Sequence, residues 1–315
     1  MYSEHNKLLY KKFIEDTPSA PIFFQDWWLD RVAGVKGWDA VVCLKNNKIY
    51  GVWPYSKKTK MFLKILASPC FTQFLGPLII SDVNKSEYQQ RKNNREILSL
   101  LLKEIPNSDI FLQNFSPDFY DFLPLIWYGF ETKIRFTYKI LNANIDEVHK
   151  KFSPDIKRRI KLCLSQKMEI KKGFDAKLLF KLVETTLNQS KKKIGIDIKD
   201  FELLIEDIEK HSSGFQLSAI NESEAISSAL FVYDNKCLYY ICSGVDIKYR
   251  SLGSINLILY EAIKFAMETG RNFDFEGSMI KSIENYFNGF SPVQVQYHEL
   301  KYIKNRFYRA LYGLK

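Results

Sequence analysis

The sequence predicts an α/β (α+β) fold built twice, each half carrying a mixed sheet flanked by helices. Three observations point there. A chain of 315 residues exceeds what one typical core needs, and its 46% hydrophobic and 15% aromatic content can fill two. A strand, basic Gly turn, helix and second strand follow one another over residues 239–277. The order of elements in the C-terminal half is repeated, in thinner form, in the N-terminal half.

In chain order, residues 25–33 have helical spacing. Residues 40–45 and 49–55 read as strands joined by Asn46-Asn47, a hairpin-type turn. Residues 57–83 are poorly patterned. A helix is expected over 86–105, a strand over 109–115, a helix over 119–128 and a strand over 131–141. Leu141-Asn142-Ala143-Asn144-Ile145-Asp146 interrupts the apolar pattern, which sets the domains at 1–143 and 144–315. The second half begins with a basic helix around Lys157, Arg158, Arg159 and Lys161, then helices over 176–193 and 199–213. Strands follow at 215–221, 225–233 and 237–245. Arg250-Ser251-Leu252-Gly253-Ser254-Ile255 opens a helix whose apolar positions Leu257, Ile258, Ala262 and Ile263 recur at helical spacing. Gly270 ends it, and a strand over 272–275, a helix over 280–289 and a long strand over 293–303 complete the chain. Tyr128-Gly129-Phe130 echoes Asn288-Gly289-Phe290, each before a final strand.

The formal charge of +10 and pI near 9.1 favour anionic partners, among them CoA phosphates, nucleotide-sugars, tRNA or a membrane face. Lysines gather at Lys57, Lys58, Lys60 and Lys64, at Lys171-Lys172 and at 191–193. Five scattered cysteines form no C-x-x-C, and four histidines form no ligand cluster, so no metal is expected. The first 20 residues lack the apolar core of a signal peptide, and no stretch nears the ~18 apolar residues of a membrane span. A cytoplasmic protein is expected.

Arg250-x-x-Gly253 after a strand resembles the pyrophosphate loop of the GCN5-related N-acetyltransferase (GNAT) superfamily, Q/R-x-x-G-x-G/A, with Ile255 where Gly or Ala is usual. Asp274-Phe275-Glu276-Gly277, followed by Ile283-Glu284-Asn285-Tyr286-Phe287-Asn288-Gly289-Phe290, resembles the "D-F-x-G … F-K-x-x-F" signature of the FemAB-like or BioF2-like acyltransferase branch. Ile156-Lys157-Arg158-Arg159-Ile160-Lys161 is similar to that branch's basic helix. The lysine of F-K-x-x-F is replaced by Phe287, or by Asn288 in a shifted register. The resemblance covers roughly 152–303 and implies tandem GNAT-like domains with mostly antiparallel sheets. It also implies acyl-CoA as co-substrate, held by Arg250, Ser251, Leu252, Gly253, Ser254 and Ile255, with Lys248 in reach. A Gly turn at a helix start offers unpaired N–H groups to phosphate. Ser81-Asp82-Val83-Asn84-Lys85, before the matching N-terminal helix, has no glycine and carries an aspartate. The first domain is therefore expected to be degenerate, without a donor loop.

For acyl transfer to an amine, Glu276 at the end of an apolar strand is the first candidate for the proton, with Asp274 two residues back on the same side. Tyr297 and His298 on the last strand are candidate acids toward a leaving thiolate. Cys242 as a nucleophile lacks a histidine placed to activate it. Arg158, Arg159 and Tyr240 are candidate acceptor contacts, with Tyr239, Trp53 and Tyr55 as further aromatic surfaces for a sugar. The leading function is an N-acyltransferase acting on an amine, of an amino-sugar or another cell-envelope polysaccharide precursor. The alternatives are an aminoacyl-tRNA-dependent peptidyltransferase, or a non-catalytic binding protein that kept the fold. Peripheral membrane contact is open to any of them.

Overall fold

The computed structural model describes residues 2–81, 84–189 and 191–304. In chain order, α1 (Tyr2–Glu15) and α2 (Asp26–Val32) precede β1 (Trp38–Lys45), β2 (Lys48–Lys60), β3 (Leu63–Ala67) and β4 (Leu78–Ile79). Then come α3 (Glu87–Glu104), β5 (Ile110–Asn114), α4 (Leu123–Trp127) and β6 (Glu131–Ile140). The second half runs α5 (Ile145–Lys151), α6 (Pro154–Ser165), β7 (Glu169–Lys172), α7 (Ala176–Asn188), α8 (Ile198–Lys210), β8 (Gly214–Asn221) and β9 (Glu224–Tyr233). It ends with β10 (Cys237–Val245), α9 (Ser254–Glu268), β11 (Asn272–Asp274), α10 (Lys281–Asn288) and β12 (Val293–Ile303).

The chain forms two compact units. Among the described residues the first is 2–135 with 296–304, and the second is Phe136–Val295. In the first, strands are ordered β1-β2-β3-β5-β12, with β4 paired to β2, and among the described residues β3–β5 is the parallel strand pair. Its core holds the fully buried Trp38, Trp53, Phe111 and Phe115, with Leu300 from β12. In the second, the order is β6-β11-β10-β9-β8-β7, and among the described residues β10–β11 is the parallel strand pair. The apolar stripe Leu257, Ile258, Leu259, Ala262, Ile263 and Ala266 of α9 is buried against that sheet. At roughly 25 cal/mol per Å² of apolar surface, such a stripe is the main reason this helix is stable. Each unit is thus a mixed, mostly antiparallel sheet flanked by helices.

The units divide at 135/136 and 295/296, whereas the sequence pattern sets one boundary at 143/144. The difference has a physical source in strand pairing. The end of β6, last strand of the N-terminal half, pairs with β11 through Phe273↔Ile140 and Asp274↔Lys139. Most of β12, last strand of the C-terminal half, pairs with β5 through Glu299↔Asn114 to Ile303↔Ile110. The unpatterned stretch 57–83 contains the end of β2 together with β3 and β4. It escapes pattern reading because the last four residues of β2 are exposed on both faces, which erases alternation.

Candidate active site

The second unit carries an opening between two strands. β10 and β11 pair in parallel only over Cys237↔Asn272, Leu238↔Phe273 and Tyr239↔Asp274. β10 continues to Val245, so among the described residues Tyr240–Ser243 have no strand partner on that side. A β-bulge at Ile241, in the pairing of β10 with β9, lies two residues beyond the last β10–β11 pair.

Two carboxyl groups sit at the mouth of this opening. Asp274 is fully buried. Its Oδ1 accepts from Thr137 Oγ1 and from the Glu276 backbone N–H at 2.8 Å, while Oδ2 lies 3.3 Å from Lys139 Nζ. Glu276 is half-buried, with Oε1 shut off from solvent. Its φ is +58° and that of Gly277 is +64°, two successive left-handed residues that turn the chain sharply out of the strand. A Cβ on Gly277 would lie 2.3 Å from Phe136 O, so only glycine fits there. Burial pushes both carboxyls upward. For Glu276 the rise is large, because the charge of Asp274 adds to burial and Lys139 offsets only part. Glu276 in turn adds to the burial that pushes the Cys242 thiol up to about 12, which keeps it protonated and unreactive.

The helix following β10 begins without a side-chain cap. A 3-10 turn over Ile247–Leu252 leads to Gly253, left-handed at φ +71°, which caps α9 with no side-chain hydrogen bond. Orphan N–H groups and the positive end of the helix dipole meet at this point. Arg250 is exposed, its Nη1 donating to Gln189 Oε1 at 2.7 Å, and Lys248 is exposed beside it. Ser254 Oγ is buried and has no hydrogen-bond partner among the described residues. The Ile255 side chain packs against the core. A network braces the turn: Tyr286 donates to Asn256 Oδ1 at 3.1 Å, and Asn256 Nδ2 donates to Gly253 O at 2.7 Å. These residues fit a pyrophosphate: a left-handed glycine, an uncapped helix start, an orphaned hydroxyl and adjoining cations.

The basic helix lies closer to this turn than its sequence suggests. Arg159 Cβ and Cδ would each be 3.5 Å from a Cβ added at Gly253, and Cys163 Sγ donates to Leu252 O. Arg158 points outward with two-thirds of its side chain exposed. Both arginines bond Asp155 at 2.8 Å, and those bonds hold its carboxyl below the usual range. Tyr240 meets Ser243 through their hydroxyls on the open edge of β10, and burial pushes its phenol up to about 12.

Tyr297 belongs to the first unit, where it is buried, packs edge-on to Phe74 and accepts from Gln73 at 3.3 Å. His298 stacks 4.3 Å from Phe122 in the same unit, and burial lowers its pKa. Trp53 and Tyr55 are buried core residues rather than sugar surfaces, and Tyr239 is buried with its hydroxyl on Asp234. Asp82 and Val83 of the loop before α3 lie outside the described residues. Sequence reading gave no role to Thr137, Lys139, Asn256 or Tyr286. The first two sit on a strand about 135 positions away from the Asp274 carboxylate they touch, so no local spacing announces them. Among the described residues no group of three or more His, Cys, Asp and Glu is placed to hold a metal, and no helix is long and apolar enough to cross a membrane.

No family model matches this sequence, and no curated protein matches it. Solved structures do. FemX superposes with a TM-score of 0.70 at 13% identity, over 96% of this chain and 97% of that one. L-PGS from Bacillus licheniformis gives 0.58 at 11%, over 95% and 92%. A tandem GNAT protein from the clavulanic acid biosynthesis pathway gives 0.50 at 7%, over 95% and 94%. At these identities the likeness is one of fold: the chain has the tandem GNAT-like, FemAB-like architecture.

Proposed function

We propose that this chain is an acyltransferase that moves an acyl group from acyl-CoA to an amine. The observation that carries the reading is the parting of β10 and β11 after Tyr239↔Asp274, with an uncapped helix start following one strand and a buried carboxyl pair closing the other. The opening leaves strand backbone free to bond the amide-rich arm of the donor. Arg250 and the N–H groups at the start of α9 hold its pyrophosphate. Arg159, beside Gly253, belongs to that phosphate site in this reading, and the outward Arg158 is left to the acceptor. Backbone N–H groups at the Ile241 bulge face the oxyanion that develops as the amine adds to the thioester carbonyl.

Glu276 takes the amine proton as the new C–N bond forms. Its pKa, raised first by burial, makes it a stronger base once ionised, and Asp274, pinned by Lys139 and Thr137, is a positioning residue whose charge adds to that rise. The C–S bond then breaks and the thiolate leaves with its electron pair. We assign the acceptor to an amino-sugar or a cell-envelope polysaccharide precursor, on the motif resemblance of 274–290. Aminoacyl-tRNA-dependent transfer is the second reading, favoured by the FemX likeness and by exposed Arg158. Calorimetric titration with CoA tests the first. Binding of one CoA supports it. No heat at millimolar CoA, with a thermal shift given by charged tRNA instead, replaces it with the second.

A further inference from the structure

The β2–β3 hairpin ends in Lys57-Lys58-Thr59-Lys60-Met61-Phe62-Leu63-Lys64. Lys60 pairs with Leu63, so Met61 and Phe62 are the two central residues of the turn, at φ +49° and +66°. A turn with both central residues left-handed favours Asn and Gly, and the β1–β2 turn of this chain meets that preference with Asn46-Asn47. Met61 and Phe62 do the opposite. They strain the backbone and bury nothing, being 81% and 98% exposed. The six residues Gly51–Ser56 of β2 are buried and the last four are exposed. At ~3.3 Å per residue the tip therefore projects about 13 Å beyond the core.

Cations surround this apolar tip. Lys58 and Lys60 stand on one face of the hairpin, opposite Ile65 and Leu63, and Lys64 stands on the other, opposite Thr59. All three are exposed, whereas Lys57 is paired with Asp39 at 3.0 Å. From tip to base the order is apolar, then cationic, then neutral core. An anionic bilayer presents the matching order, with acyl chains beneath a layer of phosphates.

We infer that the β2–β3 tip is a reversible anchor to anionic membrane, with Met61 and Phe62 entering the acyl–headgroup boundary and Lys58, Lys60 and Lys64 on the lipid phosphates. A nucleic acid would use the lysines but gives Met61 no reason to be exposed.

Co-sedimentation of the full chain with phosphatidylcholine vesicles, plain or containing about one-third phosphatidylglycerol, tests this. The wild type is expected to bind the anionic vesicles at least ~10-fold better, and raised salt should weaken that binding. Replacing Met61→Asn with Phe62→Gly installs the preferred turn, so the variant should melt no lower than wild type. It should nonetheless lose ~10-fold or more of its vesicle affinity. In Phe62→Trp, the emission added over wild type should be quenched by lipids brominated on the acyl chain. Unchanged vesicle binding by the turn variant, or an unquenched added emission, overturns the proposal. Absence of wild-type binding to anionic vesicles, with oligonucleotide binding in its place, overturns it in favour of nucleic acid.

Discussion

The two halves share, β4 aside, a run of two helices, three strands, a helix, a strand, a helix and a last strand, and finish it differently. In the first, the parallel pair β3–β5 does not open. Past Ala67 the chain keeps bonding along β5, Ser68 N–H to Leu112 O at 3.1 Å and Leu75 N–H to Asn114 O at 2.8 Å, and Leu75 bridges Phe115. In the second, the equivalent pair β10–β11 parts after three residues. The following helices differ in the same sense. α3 starts with a capping box in which Ser86 and Gln89 bond each other's backbone, whereas α9 starts at a left-handed glycine with no side-chain cap. Near the end of β5 stands the buried, neutral Gln113, satisfied by Trp53 Nε1–H and Pro54 O. Asp274 and Glu276 stand at the end of β11 with raised pKa values. One half closes its parallel pair and caps the following helix, whereas the other parts its parallel strands and starts its helix without a side-chain cap.

The sharpest way to break the comparison is Gly253→Asp, which adds a β-carbon to a left-handed residue and a negative charge to the proposed phosphate site. CoA binding by calorimetry should fall by more than ~100-fold with the fold retained by circular dichroism. Glu276→Gln comes next. It should lower kcat by ~10²- to 10³-fold with the CoA Kd little changed, and should remove the rise of rate with pH. The same variant reports on stability. Native Glu276 keeps its proton above pH 4.5, where the unfolded chain releases it, so wild-type stability declines as pH rises through that region. The variant should melt like wild type near pH 4 and ~2–4 °C higher at pH 8. Lys139→Met strands the Asp274 charge and should cost about 3 kcal/mol in denaturant unfolding at pH 7, and less at pH 4. The smallest effect is expected from Ser86→Ala, about 0.5–1 kcal/mol of stability with CoA affinity unchanged. A loss of CoA binding there would dissolve the distinction between the two helix starts.

Sequence periodicity was enough to read the repeated order and the strand–turn–helix of the second half, because β10, α9 and β11 are apolar runs bounded by Gly253 and Gly270. It was also enough for the Asn46-Asn47 hairpin, whose two residues suit the left-handed conformation they adopt. What lay beyond it was long-range or unpatterned. Lys139 and Thr137 reach Asp274 only through the β6–β11 register, Arg159 reaches Gly253 only through helix packing, and α1 and β7 are too polar to stand out. The exposed end of β2 defeats alternation for the same reason that it projects: neither face has a core to meet.

The strand placements bear on how the chain comes to fold during synthesis. The second unit is continuous, Phe136–Val295, so every residue it needs is available once its last strand residues emerge. The first unit starts at the N-terminus yet takes β12 as the partner of β5 and Leu300 as part of its core. Its sheet edge at β5 therefore stays open while some 180 further residues are translated, a long-range closure that is intrinsically slow. The half made first is completed last, and a chaperone guarding the nascent chain would have to cover the edge of β5 until β12 arrives.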